Sequence, residues 1–366
     1  MAKSTTYTYE PDFVTPPGDT LLELLQEREI SQSELARRMN RPIKTINEII
    51  RAKKEVTAET ALQLELVLGT PAHVWLNLEQ NYQEHLARRA ANEALQAEQG
   101  WLDNFPVKDM QGWGWLPEVA GKAQLLVALL QFFGIAEPAS WNDLWSDSLV
   151  NFRRTAAYAS SEYALSAWLR QGEIQAQDVS CAPYDDAQFR NLLQKEIRAL
   201  TCLSPEDFEA SLVTLCASVG VAVVFVPQIA GARVSGATRW LTKDKALLQL
   251  SLRYKTNDHF WFTFFHEAAH ILLHGKRDVF IDEDNGAATE KEQQADRFAA
   301  NTLVPPQAYK AFVSAQTRLS KQAVSQFAET LGIAPGIVVG RLQHDGHLRY
   351  THLNGLKERF TWTDST

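Results

Sequence analysis

Two histidines, His266 and His270, stand four residues apart in the stretch FFHEAAHILLHG (264–275), with Glu267 between them. On a helix, positions i and i+4 share a face, so both imidazoles can reach one tetrahedral ion at Zn–N distances of about 2.0–2.1 Å. Glu267, on the neighbouring rim, is then placed to take a proton from a water that the ion activates, while the ion polarises a scissile carbonyl. The competing reading is an apolar core helix that happens to contain histidines. A zinc hydrolase needs a third protein ligand, and carboxylates follow about 22 residues after His270 in EQQAD (292–296), where Glu292 and Asp296 lie one helical turn apart. Glu292 would complete a two-His, one-Glu set, and Asp296 would steady a ligand imidazole from behind. Glu290 and the rest of the acidic run DVFIDEDNGAATEKE (278–292) compete for the ligand role. His274, one turn past His270, is assigned to the helix C-terminus, where a cation is favoured. The remaining histidines (His73, His85, His259, His344, His347 and His352) form no comparable set, and neither a Ser/His/Asp constellation nor a Gly-rich phosphate loop is apparent.

A second chemistry lies near the N-terminus. Between Arg37 and Lys54 seven basic residues face one acid, Glu48, although the whole chain carries a net charge of -8. A segregated basic patch on an acidic protein is the electrostatic signature of a local polyanion contact. The segments SQSELARRMN and PIKTINEIIRAKK have the size and tight junction of a helix-turn-helix, whose second helix enters the major groove. Arg41, Lys44, Thr45, Asn47, Glu48 and Arg51 are then candidates for base or phosphate contact, and Lys53 and Lys54 for holding the backbone. The bland alternative is a helical bundle with a solvated basic face. Palindromic operators call for a dimer, for which the long helix expected over 71–100 offers a contact.

The elements that must position these groups are mostly helical. Thr20 with Glu23 and Ser31 with Glu34 read as capping boxes, Pro42 suits the first turn of a third helix, and Gly69 ends a fourth. From Trp101 to about Ile174, Trp and Phe recur at helical spacing, which points to core packing in a helical connector. Two amphipathic helices follow, DAQFRNLLQKEIRAL and DFEASLVTLCASVG, and then the β-prone runs VAVVFVPQI, GATRWLT and KALLQLSL. The expected fold class is therefore mainly α with a small β-sheet (α+β), divided into residues 1–100, a connector over 101–181 and a second domain over 182–366. No apolar run approaches a membrane span, and the three cysteines are too few for a disulfide framework, so no membrane partner and a cytoplasmic location are expected. Cys202 and Cys216 are expected to be small buried hydrophobes.

Residues 20–78, through SQSELARRMNRPIKTINEIIRAKKEVTAETALQLELVLG and VWLNLEQNY, resemble the Xre-type helix-turn-helix of HigA-like antitoxins and repressors. Residues 182–306, through TFFHEAAHILLHG and EQQADRFAANTLVP, resemble the ImmA/IrrE zinc metallopeptidases. The segment between them is similar to the joint in fused regulators of this kind. The resemblance implies a zincin-like C-terminal domain with one Zn2+ per chain, His266, His270 and Glu292 as ligands and Glu267 as general base. It also implies a repressor or a toxin as protein partner, beside the operator DNA and the homodimer expected from the helix-turn-helix. Related peptidases cut a repressor to release gene expression. The alternative it leaves open is a HigA-like antitoxin and autorepressor that binds a toxin through a non-catalytic metal-site domain.

Overall fold

The computed structural model describes residues 14–145, 161–252, 255–275, 280–283, 289–316 and 318–361. Residues 146–160 of the aromatic segment, and residues 278, 279 and 284–288 of the acidic run, lie outside that set. The chain divides into two compact units, Met1–Glu98 and Gln99–Thr366.

The first unit is five helices: α1 (Pro17–Glu27), α2 (Gln32–Arg38), α3 (Ile43–Ile50), α4 (Ala58–Leu68) and α5 (Ala72–Ala97). Leu21, Leu25, Leu35, Ile46, Ile49, Leu64, Leu68 and Trp75 form its core. The expected Thr20–Glu23 capping box is not what starts α1. The helix begins four residues earlier, after Pro16, with Pro17 at its first position, where a missing N–H costs nothing and φ is preset. Ser31 does cap α2, its hydroxyl accepting from the Glu34 amide at 3.1 Å. Pro42 is the residue before α3 rather than inside its first turn. Gly69 closes α4 at φ 73°, a left-handed conformation that favours glycine.

The second unit begins with α6 (Val107–Gly112), α7 (Lys122–Phe133) and α8 (Glu162–Asp178). Their aromatics pack as core: Trp141 stacks on Tyr163 with centroids 4.5 Å apart, and Phe105 meets both Tyr163 and Phe133 edge-on or tilted. The segment expected as a connector is not a separate body. Ala164, Leu165, Ala167, Trp168 and Leu169 of α8 are buried, the Trp168 indole donates to the Val226 carbonyl at 3.2 Å, and the Gln249 amide donates to the Trp168 carbonyl at 2.7 Å. Such an apolar face has to cover something, and it covers the sheet.

After α9 (Asp186–Leu192), a π-helical turn at Leu193–Ile197, and α10 (Pro205–Ala217) come the strands β1 (Val221–Phe225), β2 (Val234–Thr242), β3 (Lys245–Leu250) and β4 (Phe280–Glu283), in the order β1-β3-β2-β4. β1 runs parallel to β3, while β2 is antiparallel to both β3 and β4. The run expected to be an acidic loop thus contains an edge strand. Four residues, two of them acidic, carry too little alternation to announce one.

Between β3 and β4 in the chain lies α11 (Asn257–Leu273), and after β4 come α12 (Glu290–Leu303), α13 (Pro306–Ala315), α14 (Lys321–Leu331) and α15 (Pro335–His344). Nearly every side of α11 is buried, with Phe260, Trp261, Phe264, Phe265, Ala268 and Ile271 joining the core of the unit. Its first turn is strapped by the C-terminal segment. The Asn257 amide donates to the Glu358 carbonyl at 2.9 Å, and Lys357 pairs with the buried Asp258 at 2.6 Å. Cys216 is buried as expected, but Cys202 is exposed, because it sits in the turn after the π-helical segment rather than on its apolar face. Among the described residues no single helix is long and apolar enough to cross a membrane.

Candidate metal centre

α11 and α12 pack side by side, and their facing sides bring together the groups singled out from the sequence. His266 Nε2 lies 3.0 Å from His270 Nε2 and 3.0 Å from Glu292 Oε2, and His270 Nε2 lies 3.4 Å from that same oxygen. Among the described residues this is the one group of His, Cys, Asp and Glu with donor atoms close enough to share an ion. A tetrahedral ion with bonds near 2.0–2.1 Å holds its donor atoms roughly 3.3 Å apart. The three atoms therefore already stand at close to the edge lengths such an ion requires. Glu290, the rival carboxylate, is exposed and accepts from Gln294 at 3.3 Å.

Local sequence explains why Glu292 is there. Thr289 caps α12 by accepting the Glu292 amide at 3.3 Å, so Glu292 is the third residue of the helix. A glutamate at that position ordinarily reaches back to the cap, but here it turns to the imidazoles. Asp296, one turn on, accepts from His266 Nδ1 at 2.9 Å. Because Asp296 holds the proton on Nδ1, the Nε2 lone pair of His266 faces the site. On the other ring, His270 Nδ1 lies 2.9 Å from His274 Nδ1. His274 does sit at the C-terminus of α11, its amide donating to the His270 carbonyl at 3.2 Å, but its ring also orients His270. The spacing i, i+4 was the available signal for that contact.

The protonation states suit a cation. Burial pushes His270 down to about 4, against the opposing pull of Glu292. Burial alone would raise the Glu292 carboxyl, but the His266 and His270 rings beside it hold it well below the ordinary range. At neutral pH the set is thus a neutral imidazole beside a carboxylate, the forms that ligate metal. In the metal-free protein the unfolded chain protonates His270 from about pH 6.5 while the folded chain resists until about 4. Acidification through that window is expected to cost stability on the order of 3 kcal/mol, from 1.36 kcal/mol per unit. Glu292 acts in the same direction at lower pH. Denaturant unfolding between pH 7 and pH 4 measures it, and a flat profile would contradict a buried neutral His270.

Glu267 is fully buried and lies against β2, where the Thr238 hydroxyl donates to its Oε2 at 2.5 Å. Nothing in the sequence pointed to Thr238, since the contact depends on where β2 crosses α11.

In the first unit the eight nucleic-acid candidates separate. Lys44, whose side chain is 84% exposed, stands 3.7 Å from Glu48 on α3, and Arg51, Lys53 and Lys54 are exposed just beyond it. Asn47 and Glu48 are half-buried, and Thr45 is buried at 9% exposure. Arg41 is taken up by the fold: its guanidinium donates to Gln63 Oε1 at 2.7 Å and pairs with Glu59 at 2.9 Å, tying the turn to α4.

Residues 219–343 match the Peptidase_M78 family, described as the IrrE N-terminal-like domain, and residues 21–75 match the helix-turn-helix family. An uncharacterized HTH-type transcriptional regulator YddM of Escherichia coli is 36% identical over 63 residues, 17% of this chain and 67% of that protein. Virulence-associated protein I of Dichelobacter nodosus is 35% identical over 74 residues, 20% of this chain and 68% of that protein. Among solved structures, antitoxin HigA of Pseudomonas aeruginosa with the higBA promoter is 31% identical, covering 24% of this chain and 95% of that one, with a TM-score of 0.22. An addiction module antidote protein of a HigA family from Coxiella burnetii is 29% identical, covering 23% and 92%, with a TM-score of 0.21.

Proposed function

Because this chain belongs to the helix-turn-helix transcriptional regulators and joins to that domain an IrrE-like domain of a peptidase family, we propose that it is a DNA-binding regulator whose second unit is a zinc-dependent endopeptidase acting on a partner protein. The observation that carries the peptidase half is the triangle of His266, His270 and Glu292 donor atoms with edges of 3.0, 3.0 and 3.4 Å, next in sequence to a buried glutamate.

The donor set suits zinc, with two imidazole nitrogens and one carboxylate oxygen leaving a fourth position open, as in hydrolytic rather than structural sites. A zinc ion there supplies Lewis acidity toward a peptide carbonyl and makes a neighbouring water acidic enough to attack near neutral pH. Asp296 and His274 fix the two rings so that their Nε2 atoms converge. Glu267 takes the proton of the attacking water and returns it to the departing amine, so its carboxylate is regenerated at each cleavage. Burial of Glu267 keeps bulk water from competing for that proton.

In the first unit α3 is the recognition helix, presenting Lys44, Asn47 and Glu48, while Arg51, Lys53 and Lys54 grip phosphates. A dimer on a palindromic operator would use the long α5 as its contact, with the exposed Leu62 and Leu66 of α4, at 56% and 85%, as further apolar surface. Replacing Lys44, Lys53 and Lys54 together by Ala is expected to weaken binding to DNA from upstream of the protein's own gene. The salt dependence should flatten by about 0.9 in log–log slope for each phosphate that is no longer neutralised. Titration of wild type and variant across salt concentrations measures this, and an unchanged slope would remove those lysines from the interface. Metal analysis of the purified protein tests the other half, with about one zinc per chain expected.

A further inference from the structure

Thr238 lies in the middle of β2 and is 2% exposed. Its hydroxyl donates to Glu267 Oε2 at 2.5 Å and sits 3.3 Å from the Glu267 backbone carbonyl. Gly236 shares that face of the strand, since alternate residues point the same way. A Cβ at Gly236 would fall 2.7 Å from Glu267 Cγ and 2.8 Å from its Oε1, and 2.8 Å from Thr263 Cγ2, distances that real Cβ atoms essentially never show. The strand thus forms a slot for the glutamate, with a bare floor at Gly236 and a hydroxyl at Thr238. Neither feature is required by the strand itself: glycine weakens a strand interior, and a buried threonine hydroxyl needs a partner that valine would not.

We propose that Thr238 is a positioning residue for Glu267, holding the carboxylate against β2 in one orientation through its hydroxyl, in a slot that only a glycine at 236 leaves open. The inference rests on the reading of Glu267 as the proton acceptor. Without the hydroxyl the carboxylate keeps its burial but loses the 2.5 Å hydrogen bond that ties it to β2, which weakens its hold on the orientation from which it accepts a proton.

Acetohydroxamate is the probe, because a hydroxamic acid bound at a zinc site transfers its N–OH proton to a neighbouring carboxylate, leaving the hydroxamate anion and a carboxylic acid. Its affinity therefore reads the placement of Glu267 without any peptide being cut. Calorimetry on the zinc-loaded full chain compares wild type, Thr238→Val, Thr238→Ser, Gly236→Ala and Glu267→Gln, with zinc content measured for each. Thr238→Val and Gly236→Ala are expected to weaken binding about tenfold, the scale of one missing hydrogen bond to a charged group, while Thr238→Ser stays near wild type. All variants should keep their zinc. If Thr238→Val fails to fold, Gly236→Ala reads the same slot. Wild-type affinity in the folded slot variants alongside a loss in Glu267→Gln would overturn the positioning role and leave the base intact. Wild-type affinity in Glu267→Gln, or no binding by the wild type, would remove the proton acceptor and with it this inference.

Discussion

Glu267→Gln is expected to leave zinc bound and to lower proteolysis by about 10²–10⁴-fold, the range that a positioned proton acceptor supplies. Glutamine keeps the shape and can still accept from the Thr238 hydroxyl, so the slot against β2 stays filled. It cannot take the proton of an attacking water. The proposed zinc ligands are other residues, whose donor atoms stand together without Glu267. The measurement is cleavage of an unfolded generic substrate such as casein, together with the protein that the inactive variant retains in a pull-down. Equal cleavage by wild type and variant would refute the assigned base. If neither cuts, while the protein still binds a toxin and represses its own promoter, the second unit is a binding module and the antitoxin reading takes its place.

The second large effect concerns the ion itself. His266→Ala with His270→Ala is expected to reduce bound zinc from about one per chain to none, because one carboxylate and water do not make a tight zinc site. Loss of the ligand also removes whatever stability the bound ion confers on the folded state, so the zinc-dependent rise in melting temperature should vanish. Asp296→Asn provides the graded arm. It leaves all three donor atoms but weakens the acceptor that holds His266 Nδ1 at 2.9 Å, and about a 10–100-fold loss of metal affinity is expected. Stoichiometric zinc in the double variant, measured by elemental analysis after dialysis, would show that the ion sits elsewhere.

Both variants bear on the same distinction between residues that touch the reacting centre and residues that hold those in place. Arg41 illustrates it in the first unit. Its charge and its place before α3 make it a candidate DNA contact, and its guanidinium also bridges Gln63 and Glu59 across the turn. A sequence reading assigns charge to a helix end. It does not reveal that a glutamate and a glutamine on the following helix will claim it.

What the sequence determined by itself is local and periodic. The four-residue spacing of His266 and His270, the one-turn spacing of Glu292 and Asp296, the Ser31 cap of α2 and the glycine stop at Gly69 follow from helix geometry, which the chain carries in every stretch that repeats at 3.6 residues. The mainly helical class with a small sheet follows from the same periodicities. What only the tertiary structure decided is where distant elements meet. It brought Glu292 rather than Glu290 to the imidazoles, laid α8 on the sheet instead of leaving it in a connector, made an edge strand of four residues in an acidic run, and set Thr238 and Gly236 against Glu267. Those outcomes depend on burial and on the crossing of α11 with β2 and α12, contacts between residues about 20 to 80 positions apart that no local pattern encodes.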